Sequence, residues 1–196
     1  MNNNNNNNES NNDWCHYSNM PSPMAYMNDA NNIMKQEHTT FNDSRGSYTP
    51  IQTNELGIEW NQCSLSVNDK KGTFRGLHYQ TNPAQTKYVK VIRGSIIDFM
   101  LDLDTNELHH CTLDSNEAIL VPHNMAHGFL TLEDMTIVAY MVKGEYNPHS
   151  EHSIVWHTIE GVKRVVLDTL KHWNHTEIKI YTEDNLIISD KDNLGK

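Results

Sequence analysis

Apolar and polar positions follow a period of two through much of the chain between Thr73 and Trp156. The stretches 87–92, 95–103, 108–113, 118–121, 128–132, 136–143 and 153–156 are short, rich in Val, Ile, Tyr and Thr, and separated by Gly, Asn, Asp or Pro. Branched and aromatic side chains suit a pleated, half-buried surface, and the separators turn the chain, so each stretch predicts a strand. Many short strands at close spacing predict an all-β antiparallel sandwich or barrel rather than a parallel α/β sheet. Within 95–103, Ile97, Phe99, Leu101 and Leu103 make one apolar face, and Asp98 falls on the other between Ile96 and Met100. A carboxylate there needs a partner or a wet cavity. Stretch 136–143 is apolar on both faces, and Tyr140 shares a face with Val138 and Val142, which points it into a packed interior or an internal cavity.

The pattern changes at both ends. Residues 158–173 carry apolar positions at helical spacing (Val162, Val165, Val166, Thr169, Leu170), and 178–181 reads as a further strand. Residues 1–38 open with an unbroken asparagine run, Asn2 to Asn8, and show neither period. So polar a tract buries too little apolar area to offset chain entropy, which predicts a disordered tail over 1–38 and one folded domain over 39–196. Asn42-Asp-Ser-Arg-Gly46 reads as a turn, with short strands and turns continuing to Lys71.

Composition narrows the function classes. Fifteen basic against 25 acidic residues give a formal charge of −10, the wrong sign for a protein held to nucleic acid by phosphate contacts. A few focused cations in one pocket still suit an anionic small molecule. Cys15, Cys63 and Cys111 form no CxxC and no even framework, which favours a reduced, cytoplasmic setting. No apolar run reaches the length of a membrane span, and the first residues have neither a basic nor an apolar segment of a secretory signal.

The chemistry concentrates at Arg75-Gly-Leu-His-Tyr-Gln80. On a regular strand Arg75 and His78 point to opposite faces; a bulge at Gly76 brings them together. Twelve histidines raise the question of a metal, and His109-His110-Cys111 and His123-x3-His127 have ligand-like spacings. Pro122 and Gly128 bracket the second pair and oppose a helical zinc pair. Metal-binding cupins flank one residue with two histidines, whereas His78-Tyr-Gln80 has one, so neither metal nor other cofactor is expected. The remaining constellation fits proton transfer, with His78 as base, Tyr140 as acid and a carboxylate such as Asp192 orienting the histidine. Lys87, Arg75 and His127 suit an anion or oxyanion. Taken singly, Tyr140 also reads as a core tyrosine, His127 as a satisfied core histidine and Lys87 as a solvated strand lysine.

Gly72-Thr-Phe-Arg-Gly-Leu-His-Tyr-Gln80, Gln85-Thr-Lys87, Ala126-His-Gly-Phe129, Tyr140 and Ser189-Asp-Lys-Asp192, in that order, resemble the dTDP-4-dehydrorhamnose 3,5-epimerases over about 41–192. The resemblance implies a metal-free antiparallel jelly-roll (cupin-like) barrel and a homodimer. Its substrate would be a nucleotide-linked 4-keto-6-deoxyglucose, epimerised at C3 and C5 through an enolate. His78 would be the base, Asp192 its orienting partner, Tyr140 the opposite-face proton donor and Lys87 the enolate contact. Arg45, Arg75, His127, Lys191 and Glu151 would contact substrate, and Tyr146 would stack on the base. The pattern departs from the family at Pro50, where an acidic contact is expected, at 63–65, and in a longer 156–189 segment. These departures leave dTDP and UDP both open. They also leave open a single-centre epimerase, a 3,4-ketoisomerase and a non-catalytic sugar-nucleotide module.

Overall fold

The computed structural model describes residues 33–43, 46–51, 56–176 and 180–194. Twelve strands appear in chain order: β1 (Met34–Glu37), β2 (Phe41–Asp43), β3 (Gly46–Tyr48), β4 (Gln62–Asn68), β5 (Phe74–Gln80), β6 (Thr86–Arg93), β7 (Ser95–Asp102), β8 (Leu108–Asp114), β9 (Glu117–Val121), β10 (Met125–Thr131), β11 (Thr136–Lys143) and β12 (Glu151–Ser153). Two helices follow, α1 (Glu160–Thr176) and α2 (Asp190–Leu194). One five-stranded sheet runs β1-β9-β6-β11-β4, the other β12-β5-β10-β7-β8, while β2 and β3 pair with each other. Among the described residues, these twelve strands pair only antiparallel with one another.

Alternation along the strands builds two buried layers. Val89 and Val91 of β6, Ile96 and Met100 of β7, Ile119 and Val121 of β9, Phe129 of β10 and Val138 of β11 meet between the sheets. The opposite faces of the second sheet carry Phe74, Leu77, Ile97, Phe99, Leu101, Ala126 and Leu130, which pack under α1. That helix buries Val162, Val166, Leu170 and Trp173, a spacing of four, four and three that keeps one stripe on the sheet. The face holding Asp98 is therefore the one between the sheets, and the Ile97-Phe99-Leu101 face looks toward the helix.

Four expectations need correction. Met34–Glu37, assigned by sequence to the tail, is a strand paired with Glu117–Val121, because Met34 packs with Tyr88 and Leu120 on the outer face of the first sheet. The strand predicted over 153–156 lies earlier, at Glu151–Ser153, and Trp156 begins a short 3₁₀ turn, Trp156–Thr158. The helix is shifted to Glu160–Thr176. Of the expected 178–181 strand, 178 and 179 fall outside the described residues and Ile180 and Tyr181 are not in a strand.

The long segment after Trp156 returns the chain to β5. Ile187 bridges Thr73 in parallel, its N–H donating to the Gly72 carbonyl at 2.9 Å and its carbonyl accepting from Phe74 N–H at 2.9 Å. This seam sets α2 against β5.

Candidate active site

The strand β5 breaks its own alternation. Phe74 and Leu77, three residues apart, both enter the layer under α1, so Arg75 and His78 share the opposite face, the one between the sheets. Gly76 makes the break, with φ at +117°. A Cβ there would stand 2.5 Å from Gly128 Cα and 2.7 Å from the His127 carbonyl oxygen, so only glycine fits. The register on β10 shifts between His127 and Phe129 at the same place. The bulge required by sequence is present.

The seam through Ile187 brings Asp192 to this bulge. His78 Nε2 lies 2.6 Å from Asp192 Oδ1, and Gly76 N–H donates to Asp192 Oδ2 at 3.1 Å. Asp192 is 3% exposed. Burial alone raises its carboxyl, but the His78 bond and charge and the Gly76 and Ser189 contacts outweigh that and hold it below the usual range. An ionised Asp192 only accepts, so His78 carries its proton on Nε2 and presents the Nδ1 lone pair.

A second histidine-carboxylate pair lies beside the first. His127 is the cross-strand partner of His78, and its Nε2 is 2.7 Å from Asp98 Oδ2. This pair is nearly fully buried, and Asp98 Oδ1 has no hydrogen-bond partner among the described residues. The partner that Asp98 required from sequence is thus His127.

The first sheet supplies the facing groups. Lys87 shares the inner face of β6 with Val89 and Val91, and its ammonium donates to the His78 carbonyl oxygen at 3.4 Å. Desolvation lowers Lys87 to about 8, with Glu151 and Asp98 resisting. Tyr140 packs into the layer between the sheets, 6.4 Å from the Phe129 ring by centroids. Desolvation first, then the Asp98 charge, pushes its phenol well above the ordinary range, while a Ser66 hydrogen bond and Arg75 pull it down. Arg75 is exposed and donates from Nε to Asn68 Oδ1 at 2.8 Å.

At the rim, Lys191 Nζ pairs with Glu151 Oε2 at 2.7 Å, and the Tyr146 hydroxyl donates to the same oxygen at 3.1 Å. Burial raises the Glu151 carboxyl, but the Lys191 and Tyr146 contacts and the His78 charge leave it net lowered. Of the residues singled out by sequence, His78, Asp192, Arg75, Lys87, His127, Tyr140, Glu151, Lys191 and Tyr146 are thereby linked into one cluster. Arg45 lies outside the described residues. Ser66 and Asn68 escaped the sequence reading; the signal was the alternation of polar Ser64, Ser66 and Asn68 with apolar Leu65 and Val67. A cavity of about 400 Å³ lined by Trp156, Lys163, Glu183, Leu186 and other residues contains none of the clustered groups. Among the described residues, no three His, Cys, Asp or Glu side chains converge as a metal would need.

Chemically, the cluster offers an oriented base, a partly buried phenolic acid and cations, the set needed to move a proton at a carbon made acidic by a neighbouring carbonyl.

Residues 29–196 match the model of a family described as dTDP-4-dehydrorhamnose 3,5-epimerase. A protein of that description from Methanothermobacter thermautotrophicus is 30% identical over 173 residues, covering 82% of this chain and 86% of that protein. One from Mycobacterium tuberculosis is 36% identical over 107 residues, and there the match spans 52% of the relative, about half its length. The crystal structure of dTDP-4-dehydrorhamnose 3,5-epimerase from Bacillus anthracis, with TDP and PPi bound, superposes with a TM-score of 0.64 at 27% identity, covering 85% of this chain and 94% of that one.

Proposed function

Because the chain belongs to the dTDP-4-dehydrorhamnose 3,5-epimerase family, we propose that it epimerises C3 and C5 of a nucleotide-linked 4-keto-6-deoxyglucose and gives the 4-keto-L-rhamnose nucleotide. The observation that carries this reading is the His78–Asp192 pair at 2.6 Å, set in one cluster with Lys87 and Tyr140.

Hydrogens at C3 and C5 lie α to the C4 ketone, so loss of either yields an enolate. His78 Nδ1 takes the proton, and Asp192 stabilises the imidazolium. The C–H electron pair moves toward the C4 oxygen, where Lys87 donates to the developing charge. Tyr140 then delivers its proton to the opposite face of the carbon, which inverts the centre. Arg75, with its Nη groups beyond the Asn68 contact, and Lys191 and Arg45 take the anionic nucleotide part. Glu151 holds Lys191, and Tyr146 stacks on the nucleobase.

The folded unit is the epimerase domain, extended at its N-terminal side to include β1. We assign it to the cytoplasm; the exposed, unbridged Cys63 supports a reducing compartment, and no described helix is long and apolar enough to cross a membrane. We also assign it a homodimer, supported by exposed Leu65 and Val67 on the outer face of edge strand β4.

Incubation with the dTDP- or UDP-linked keto sugar in deuterated water, read by NMR, tests the activity. Deuterium at both C3 and C5 with inversion is expected, and the faster nucleotide identifies the carrier. Deuterium at one centre makes the protein a single-centre epimerase, and none with either nucleotide overturns the assignment.

A further inference from the structure

Gln80 closes the motif that begins at Arg75, and the proton chemistry makes no use of it. It lies two residues beyond His78 on the same side of β5, yet it is 3% exposed where His78 is half-buried. So buried an amide must find its partners within the protein. Nε2 donates to the Glu145 carbonyl at 2.8 Å and to the Pro83 carbonyl at 2.5 Å, and Oε1 accepts from Asn147 N–H at 2.8 Å. Carbonyls only accept and a backbone N–H only donates, so the three partners fix which way the amide faces.

Two of those contacts fall on either side of Tyr146. The connection there, 144–150, forms neither strand nor helix, so no ladder of its own holds it. Asn147 Nδ2 and Ser150 Oγ each add a bond to the Asn82 carbonyl at 2.7 Å. The Tyr146 residue is 58% exposed, and its hydroxyl is tied to Glu151, the cross-strand neighbour of Gln80. The ring is thus pinned at its backbone and at its hydroxyl while it stays open to solvent. A ring fixed before a ligand arrives loses less freedom when the ligand stacks on it.

We propose that Gln80 is a positioning residue for nucleotide recognition: its amide clamps the backbone at 145 and 147 and so presents the Tyr146 ring as a preformed platform for the heterocyclic base of the substrate. The inference rests on the reading of Tyr146 under the proposed function and adds to it the residue that makes the platform rigid. Gln80 itself touches no substrate. Its three bonds go to Pro83, Glu145 and Asn147 and none to His78, Asp192 or Tyr140, so the clamp bears on binding of the nucleotide and not on proton transfer.

Gln80→Met keeps the length of the side chain and removes all three bonds. Calorimetry of TDP, UDP and inorganic pyrophosphate, which has no base, reads the effect. The Kd of the nucleoside diphosphate that binds rises about tenfold, within the range for losing one base–aromatic stack, while pyrophosphate stays within about twofold. With the keto-sugar nucleotide, KM rises by the same factor and kcat stays within about twofold. Tyr146→Ala gives the same rise, and adding Gln80→Met to it changes nucleotide affinity by less than about twofold, since a clamp acting through the ring has nothing left to position. Where Gln80→Met does not fold, Gln80→Glu repeats the comparison; it keeps the shape and the acceptor for Asn147 N–H but loses the amide donors. Unchanged nucleotide affinity, an equal loss for pyrophosphate, or losses that add in the double variant overturn the proposal. So does a wild-type protein that binds neither nucleoside diphosphate more tightly than pyrophosphate. The expected losses in a protein that exchanges no keto-sugar hydrogen overturn the proposed reaction and support the platform.

Discussion

His78 and His127 stand directly opposite each other across β5 and β10, and each is held through Nε2 by its own buried carboxylate, Asp192 at 2.6 Å and Asp98 at 2.7 Å. The pairing leaves both Nδ1 atoms free of the carboxylates. One histidine is half-buried and the other almost fully buried, which separates a base that must meet substrate from an imidazole held in the wall.

Replacing His78 by Ala is expected to lower turnover by about 10²–10⁴-fold with little change in KM. Asp192→Asn should fall in the same range. Its amide keeps one acceptor for Gly76 N–H and turns NH₂ toward His78, forcing the proton onto Nδ1 and removing the base. Steady-state kinetics check both, and a large rise in KM with turnover intact would contradict the assignment.

Lys87 sets a limit on the alkaline side. Its ammonium, lowered by desolvation to about 8, is charged below that pH, so kcat/KM is expected to fall as pH rises through about 8. The same shift opposes folding below pH 8, since the unfolded lysine holds its proton up to about 10.4; stability therefore rises with pH between about 8 and 10.4. Lys87→Met should abolish activity and, at pH 7, stabilise the protein by roughly 1–3 kcal/mol. A pH-rate profile and denaturation of both proteins decide this.

Gly76 and Gly128 allow β5 and β10 to approach where the site needs its bulge. Gly76→Ala places a methyl 2.5 Å from Gly128 Cα at a φ of +117°, and Gly128→Ala places one 2.6 Å from the Arg75 carbonyl oxygen. Each is expected to cost more than about 3 kcal/mol, read by urea denaturation or as loss of soluble protein.

The Asp98–His127 pair is expected to behave as one buried, hydrogen-bonded unit. Either single alanine leaves a buried polar partner unsatisfied and costs about 1–3 kcal/mol, whereas the double variant costs less than the sum of the two. Additive losses in thermal or chemical unfolding would show that the two groups act separately.

Much of this was legible in the chain. Strand β11 was read to its residue bounds, and β6 to β10 within three residues, because a period of two with β-branched residues leaves few other ways to bury one face. Even the requirement that Gly76 break alternation followed from Arg75 and His78 having opposite parity. The misreadings share a cause. Met34–Glu37 is too short and polar to signal a strand by itself, and it is ordered by the sheet edge it completes. Ser66 and Asn68 were not singled out, since nothing local says which face of β4 is turned inward.

By itself, then, the sequence determined the kinds of elements and an ordered set of chemical groups, because both are written in local period and residue type. The tertiary structure alone decided which groups meet. Asp192 reaches His78 across 114 residues because Ile187 joins β5 at Thr73, and Asn68 meets Arg75 because two sheets close on one another. Such contacts depend on strand order and on the path of the chain outside its periodic segments, and no local pattern encodes either.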